Sequence, residues 1–108
     1  MHRLFTSQTA AADSAVLTLP TVYSKSATVQ IEGGIAGGDA VACQVSLDNS
    51  TFYPVEGFDV GDITAAAELT SITADGIYRF DVTGAKYVKL VKTGTNGAID
   101  AYLTIDVG

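Results

Sequence analysis

Histidine and cysteine each occur once in these 108 residues, and tryptophan is absent. A single Cys43 excludes an internal disulfide, and Cys43 with His2 is too small a donor set for zinc, which needs several Cys or His ligands. The same scarcity removes Cys–His and Ser–His–Asp arrangements: His2 has no scaffold to aim it, and Cys43 lies in an apolar run. Cys43 reads instead as a buried reduced thiol, in keeping with folding in a reducing cytoplasm. Bases are few as well. Six Lys and Arg against twelve Asp and Glu leave a net charge of −6, which speaks against a nucleic-acid binder, since that needs clustered cations. No apolar run approaches transmembrane length. The start "MHRLFTSQTAAADS" lacks the apolar stretch of a signal peptide, so neither a membrane span nor export by that route is expected.

What is abundant is small and apolar. Hydrophobic residues make up 47% of the chain, charged residues only 17%, and mean hydropathy is +0.29. A chain of this length forms one domain and buries roughly 65% of its unfolded surface, enough for a single core. The lean polar coat fits either a β-protein with small side chains or a surface that is covered in an assembly.

Apolar residues alternate with polar ones almost throughout. In "SATVQIEG" Ala27, Val29 and Ile31 share one face. In "AVACQVSL" Val41, Cys43, Val45 and Leu47 share another. "GIYRFDV" turns Tyr78, Phe80 and Val82 inward, and "AIDAYLTIDV" does the same with Ile99, Ala101, Leu103, Ile105 and Val107. This is the period of half-buried antiparallel strands. Turn residues punctuate them at "GGIAGGD", "DNST", "ADG", "TG" and "TGTNG", where Gly, Asn and Asp suit tight hairpins. With further strands near 15–19, 52–56 and 68–72, about eight strands are expected. The fold class is an all-β antiparallel sandwich or jelly-roll-like barrel over residues 15–108. Residues 1–14 read as an N-terminal arm outside the alternation, held by a neighbouring molecule. "GDITAAAELTS" is read as a single turn or loop.

Carboxylates are the remaining source of chemistry. Glu56, Asp59 and Asp62 cluster in "EGFDVGD", and oxygen-rich loops hold calcium, but the spacing fits no established ion loop, so a solvated acidic turn is favoured. Nor do cleft-forming insertions accompany them, as a carboxylate-pair hydrolase would need. "GGIAGG" precedes no helix N-terminus and reads as a flexible hairpin tip rather than a phosphate cradle. No cofactor, metal site or enzymatic activity is expected. Contact residues are. Phe52 and Tyr53, closing the hairpin "VSLDNSTFYPV", offer aromatic area beside a turn, with packing at the sandwich rim their first duty and contact their second. Lys86, Lys89 and Lys92 fall where no acid intervenes between Asp81 and Asp100, as solvated strand-face lysines or as a patch for an acidic partner.

"VACQVSLDNSTFYPVEG" followed by "DGIYRFDVTGAKYVKLVKTGTNGAIDAYLTI" resembles small β-sandwich structural proteins of tailed bacteriophage virions, over roughly residues 41–105. In those, a strand ending "SLDG" leads to an aromatic-rich strand, and a unit Y-x-x-D-V-x-G-x-x-Y-V-K/R-L precedes a Gly/Thr turn and a final alternating strand. Tyr78, Asp81, Gly84, Tyr87, Val88 and Leu90 occupy those places, while the aromatic often expected to be Trp is Phe52 or Tyr53. The resemblance implies a non-enzymatic head decoration or cement protein, or a related module of head or tail fibres. A single domain beginning at its own Met favours decoration. The implied partners are the major capsid protein and copies of this chain, reached through the arm residues Arg3, Leu4 and Phe5. The implied place is the capsid surface, after assembly in the host cytoplasm. The competing class is a carbohydrate-binding module for host attachment, with Tyr53 or Tyr102 against the glycan.

Overall fold

The computed structural model describes residues 1–20, 24–61 and 69–107. Among these residues ten strands run in chain order: β1 (His2–Gln8), β2 (Ala12–Asp13), β3 (Leu17–Thr18), β4 (Ser24–Glu32), β5 (Ala40–Ser46), β6 (Tyr53–Pro54), β7 (Gly57–Asp59), β8 (Gly76–Asp81), β9 (Tyr87–Thr93) and β10 (Ile99–Val107). They form two antiparallel sheets. One has the order β1-β10-β4-β8-β7, and the other β2-β9-β5-β6, with β3 beside β9. Among the described residues there is no helix. The fold is the expected all-β sandwich. The segment "GDITAAAELTS", read as a turn or loop, lies mostly outside the described residues.

The alternating residues fill the space between the sheets. Ala27, Val29 and Ile31 from β4, Val41 and Cys43 from β5, Tyr78 and Phe80 from β8, and Ile99, Ala101 and Leu103 from β10 are all buried. Burial pushes the Cys43 thiol up to about 12, because a thiolate there would lose its solvation. Register ties these faces together: Val29 pairs with both Leu103 and Tyr78, and Cys43 pairs with Leu90. Leu47, expected on the inward face of β5, is instead 68% exposed. β5 ends at Ser46, and the buried Ser46 hydroxyl accepts the Asp48 and Asn49 amides, turning the chain outward.

Strand connections depart from the expected tight hairpins. Among the described residues, only β5–β6 joins paired neighbours through a short turn. The segments after β4, β8 and β9 each carry the chain from one sheet to the other. "GGIAGGD" is thus an inter-sheet bridge rather than a flexible tip, and its Gly34 and Ile35 amides donate to Asp75 at 3.0 and 2.8 Å. The "DVTGAKY" unit is another. Asp81 accepts the Thr83 amide, Ala85 N–H donates to Val82, and Gly84 takes φ +84°, so the corner turns within a few residues and returns Val88 and Leu90 to the core. Gly57 is fixed by a different constraint. A Cβ there would lie 2.5 Å from the Arg79 carbonyl and 2.6 Å from the Phe80 ring, where β7 crosses the core ring.

The arm needs correction. Residues 2–8, expected outside the domain, are the edge strand β1 on this chain's own β10. Phe5 drops into the core at 3% exposure. The register shifts on either side of Phe5 break the simple alternation, which is why "HRLFTSQ" does not read as a strand. Ser7 takes φ +44° at the second irregularity, and Gln8 still pairs with Ile99. Only then does the chain pass to the other sheet, where β2 and β3 pair with β9.

Candidate contact surface

The β5–β6 turn is built by one carboxylate. Asp48 Oδ1 accepts the Ser46 hydroxyl at 2.8 Å and the Ser50 and Thr51 amides at 2.9 and 3.0 Å, while Asn49 takes φ +59°. Side-chain acceptors that gather successive amides in this way fix turns without tertiary help. The Thr51 and Ser50 amides and the Ser46 hydroxyl hold Asp48 down at about 2. At neutral pH it is therefore ionised and already engaged, unsuited to donate or shuttle protons.

Against this turn packs the inter-sheet corner, through the Lys86 amide donating to Ser46 at 3.1 Å. Between turn and corner lies an open cleft of about 540 Å³, lined by Val45, Leu47, Thr51, Tyr53, Thr83 and Ala85 among others. Its rim is apolar and presented to solvent, with Leu47 68% and Tyr53 67% exposed. Phe52 faces elsewhere. Lys89 Nζ stands 4.3 Å from its ring centroid and pairs with Asp13 at 2.8 Å. The two adjacent aromatics thus differ in environment: Phe52 packs under a lysine, and Tyr53 stands in solvent.

The other expected contact residues scatter. Arg3 lies on the outer face of β1, paired with Asp100 at 3.0 Å and stacked over Tyr102 at 5.3 Å. The Ser7 amide, and then Arg3, lower the Asp100 carboxyl from its ordinary value. Leu4 is half-buried against the core, and Phe5 is inside it. Lys86 is exposed at the corner, Lys89 is engaged as above, and Lys92 is 1% exposed. Phe5 and Lys92 are therefore interior residues rather than surface contacts, and the three lysines form no common patch. Tyr102, an expected sugar platform, has Arg3 over its ring. In the 56–62 loop Asp59 accepts the Gly61 amide, and Asp62 lies outside the described residues. Among the described residues no three His, Cys, Asp or Glu side chains gather as metal ligands.

Sequence reasoning missed the buried pair Lys92–Asp39, at 3.6 Å with both side chains fully covered. Lys92 Nζ also donates to the Thr9 and Gly94 carbonyls at 2.8 and 2.9 Å. Asp39 accepts the Asn96 and Gly97 amides at 3.1 and 2.7 Å. Burial pushes the Asp39 carboxyl up, but these amides and the Lys92 charge outweigh it and hold it below its ordinary value. One signal was in the sequence: Lys92 shares parity with Val88 and Leu90 in "YVKLVKT".

No protein-family model matches this chain, and no curated protein matches it either. Among solved structures, the SPBc2 prophage-derived protein YomS superimposes with a TM-score of 0.78 at 14% identity, over 97% of this chain and 90% of that one. The two share a fold.

Proposed function

We propose that this chain is a non-enzymatic virion protein of a tailed phage, a decoration protein that docks on the outer face of the head and stabilises it. The observation that carries the proposal is the cleft between the Asp48 turn and the Gly84 corner, rimmed by exposed Leu47 and Tyr53. Exposed large apolar side chains around a concavity suit the insertion of a partner's apolar side chain. The walls are held by the Asp48 and Asp81 carboxylates and by backbone hydrogen bonds at the corner, so little ordering entropy is lost on docking. The phage setting is supported by the whole-length likeness to a prophage-derived protein and by the sequence resemblance over residues 41–105. The partners are the major capsid protein and copies of this chain.

Heads lacking this protein are expected to fail at lower temperature and higher salt concentration than complete heads, and added wild-type protein restores them. Leu47→Ser with Tyr53→Ala should fold but not restore. Depleted heads as robust as complete ones would overturn the cementing role. Glycan attachment remains the competing reading on one observation, the free ring of Tyr53; Tyr53-dependent retention on host polysaccharide, with no effect on heads, would favour it.

A further inference from the structure

Asn96 precedes Gly97 in the bridge between β9 and β10. An asparagine followed by glycine is the pair most prone to cyclise, because no Cβ shields the following amide nitrogen. Here each group that would react is held. The Gly97 N–H is buried and donates to Asp39 Oδ2 at 2.7 Å. The Asn96 N–H donates to Asp39 Oδ1 at 3.1 Å, and Asn96 Nδ2 donates to the Gly37 carbonyl at 2.8 Å. Gly97 is also packed tightly against the Gly34 carbonyl, leaving no room for a side chain. Asp39 is in turn fixed by Lys92, which holds Thr9 of the sheet-switching crossover as well.

We propose that Asn96–Gly97 is a deamidation site that the Asp39–Lys92 pair holds closed, so that it reacts only when this end of the sandwich opens. In the step, the Gly97 nitrogen attacks Asn96 Cγ. A new N–C bond forms, the bond from Cγ to Nδ2 breaks, and Nδ2 leaves as ammonia with the proton lost by Gly97. Water then opens the succinimide to aspartate or isoaspartate, with no change of oxidation state. The product replaces the Nδ2 donor facing Gly37 with a carboxylate that accepts only, beside the existing Asp39 charge. The bridges at 33–39 and 94–97 would then repel, and Lys92 would lose its fixed partner. The modification is irreversible and sits on the clamp that positions the N-terminal crossover.

The test is peptide mapping by mass spectrometry after incubation at mildly alkaline pH, folded and in urea. Conversion of Asn96 is expected in urea, and on the order of 100-fold more slowly in the folded protein, since reaction must wait for local opening. Lys92→Met, checked for native circular dichroism, should accelerate conversion in the folded state. Equal rates folded and in urea, or a folded Lys92→Met variant that reacts as slowly as wild type, would overturn the proposal. If Lys92→Met does not fold, amide exchange at Gly97 in the wild-type protein decides the matter. Slow exchange that tracks deamidation across temperature supports the gate, and fast exchange alongside slow deamidation overturns it.

Discussion

Lys92 Nζ and Asp39 Oδ2 face each other at 3.6 Å with neither side chain reaching solvent. A buried cation is tolerable only when its charge and donors are matched, and here Asp39, Thr9 and Gly94 match them. Three chain segments meet at that one ammonium group: the crossover after β1, the bridge before β5 and the turn after β9. Lys92→Met keeps the stem but leaves Asp39 facing an apolar group. A loss of about 3–5 kcal/mol is expected, the cost of orphaning one member of a buried pair, read as a lower midpoint in urea unfolding with an unchanged slope.

The carboxylates predict the acid response. Asp39, Asp48, Asp81 and Asp100 are all held below their ordinary values in the folded protein, Asp48 at about 2. The folded state therefore binds fewer protons than the unfolded chain once pH drops into the carboxylate range. Stability should be fully present above the ordinary carboxylate pKa of about 4 and decline as pH falls from there towards 2. Thermal melts between pH 7 and 2 measure this. Asp48→Asn should flatten the lower part of the decline, and an unchanged profile in that variant would contradict the role given to the turn.

Phe5 separates an arm from a strand. Buried in the core at 3% exposure, it should cost about 3–5 kcal/mol when cut to alanine, as buried aromatics do. Thr6, exposed on the same strand, should tolerate the change with little effect. Urea unfolding of the two variants gives the comparison, and a neutral Phe5→Ala would return residues 2–8 to the status of a loose arm.

These cases show what the sequence made legible. Strands β4, β8 and β10 could be read because one face is apolar without interruption, and that pattern forces a sandwich. β1 could not, since register shifts beside Phe5 destroy the period. Which turns are hairpins and which cross between sheets is also invisible, because Gly and Asp serve both. The Gly84 corner and the Asp48 turn look alike as text, yet one changes sheet and the other does not. Their meeting, which makes the cleft, is a product of topology. Lys92 was visible by parity, but nothing in its neighbours announced Asp39, more than fifty residues earlier.

Cys43 should act as a reporter of opening. It is fully buried on the face of β5 that meets the opposite sheet, and its thiol is pushed up to about 12, so thiolate is scarce at neutral pH even when a reagent arrives. Labelling by an aromatic disulfide reagent should be negligible in the native protein and prompt in urea. Prompt labelling under native conditions would mean that the two sheets part far more readily than their packing implies.

Phe52 and Tyr53 give the sharpest contrast, being adjacent in sequence but opposed in environment. Phe52 is half-buried beneath Lys89, whose ammonium group is also paired with Asp13. Removing the ring takes away apolar contact and a cation–π interaction worth about 0.5–1 kcal/mol at such sites, so Phe52→Ala should lower the unfolding midpoint. Tyr53 is 67% exposed, so Tyr53→Ala should leave the midpoint within about 0.5 kcal/mol, as surface substitutions do. If Tyr53 serves a partner, the order reverses when binding to heads is measured: Tyr53→Ala should weaken it at full stability, while Phe52→Ala affects it only to the extent that folding is lost. A Tyr53→Ala protein that binds as well as wild type would remove the cleft rim from the docking surface.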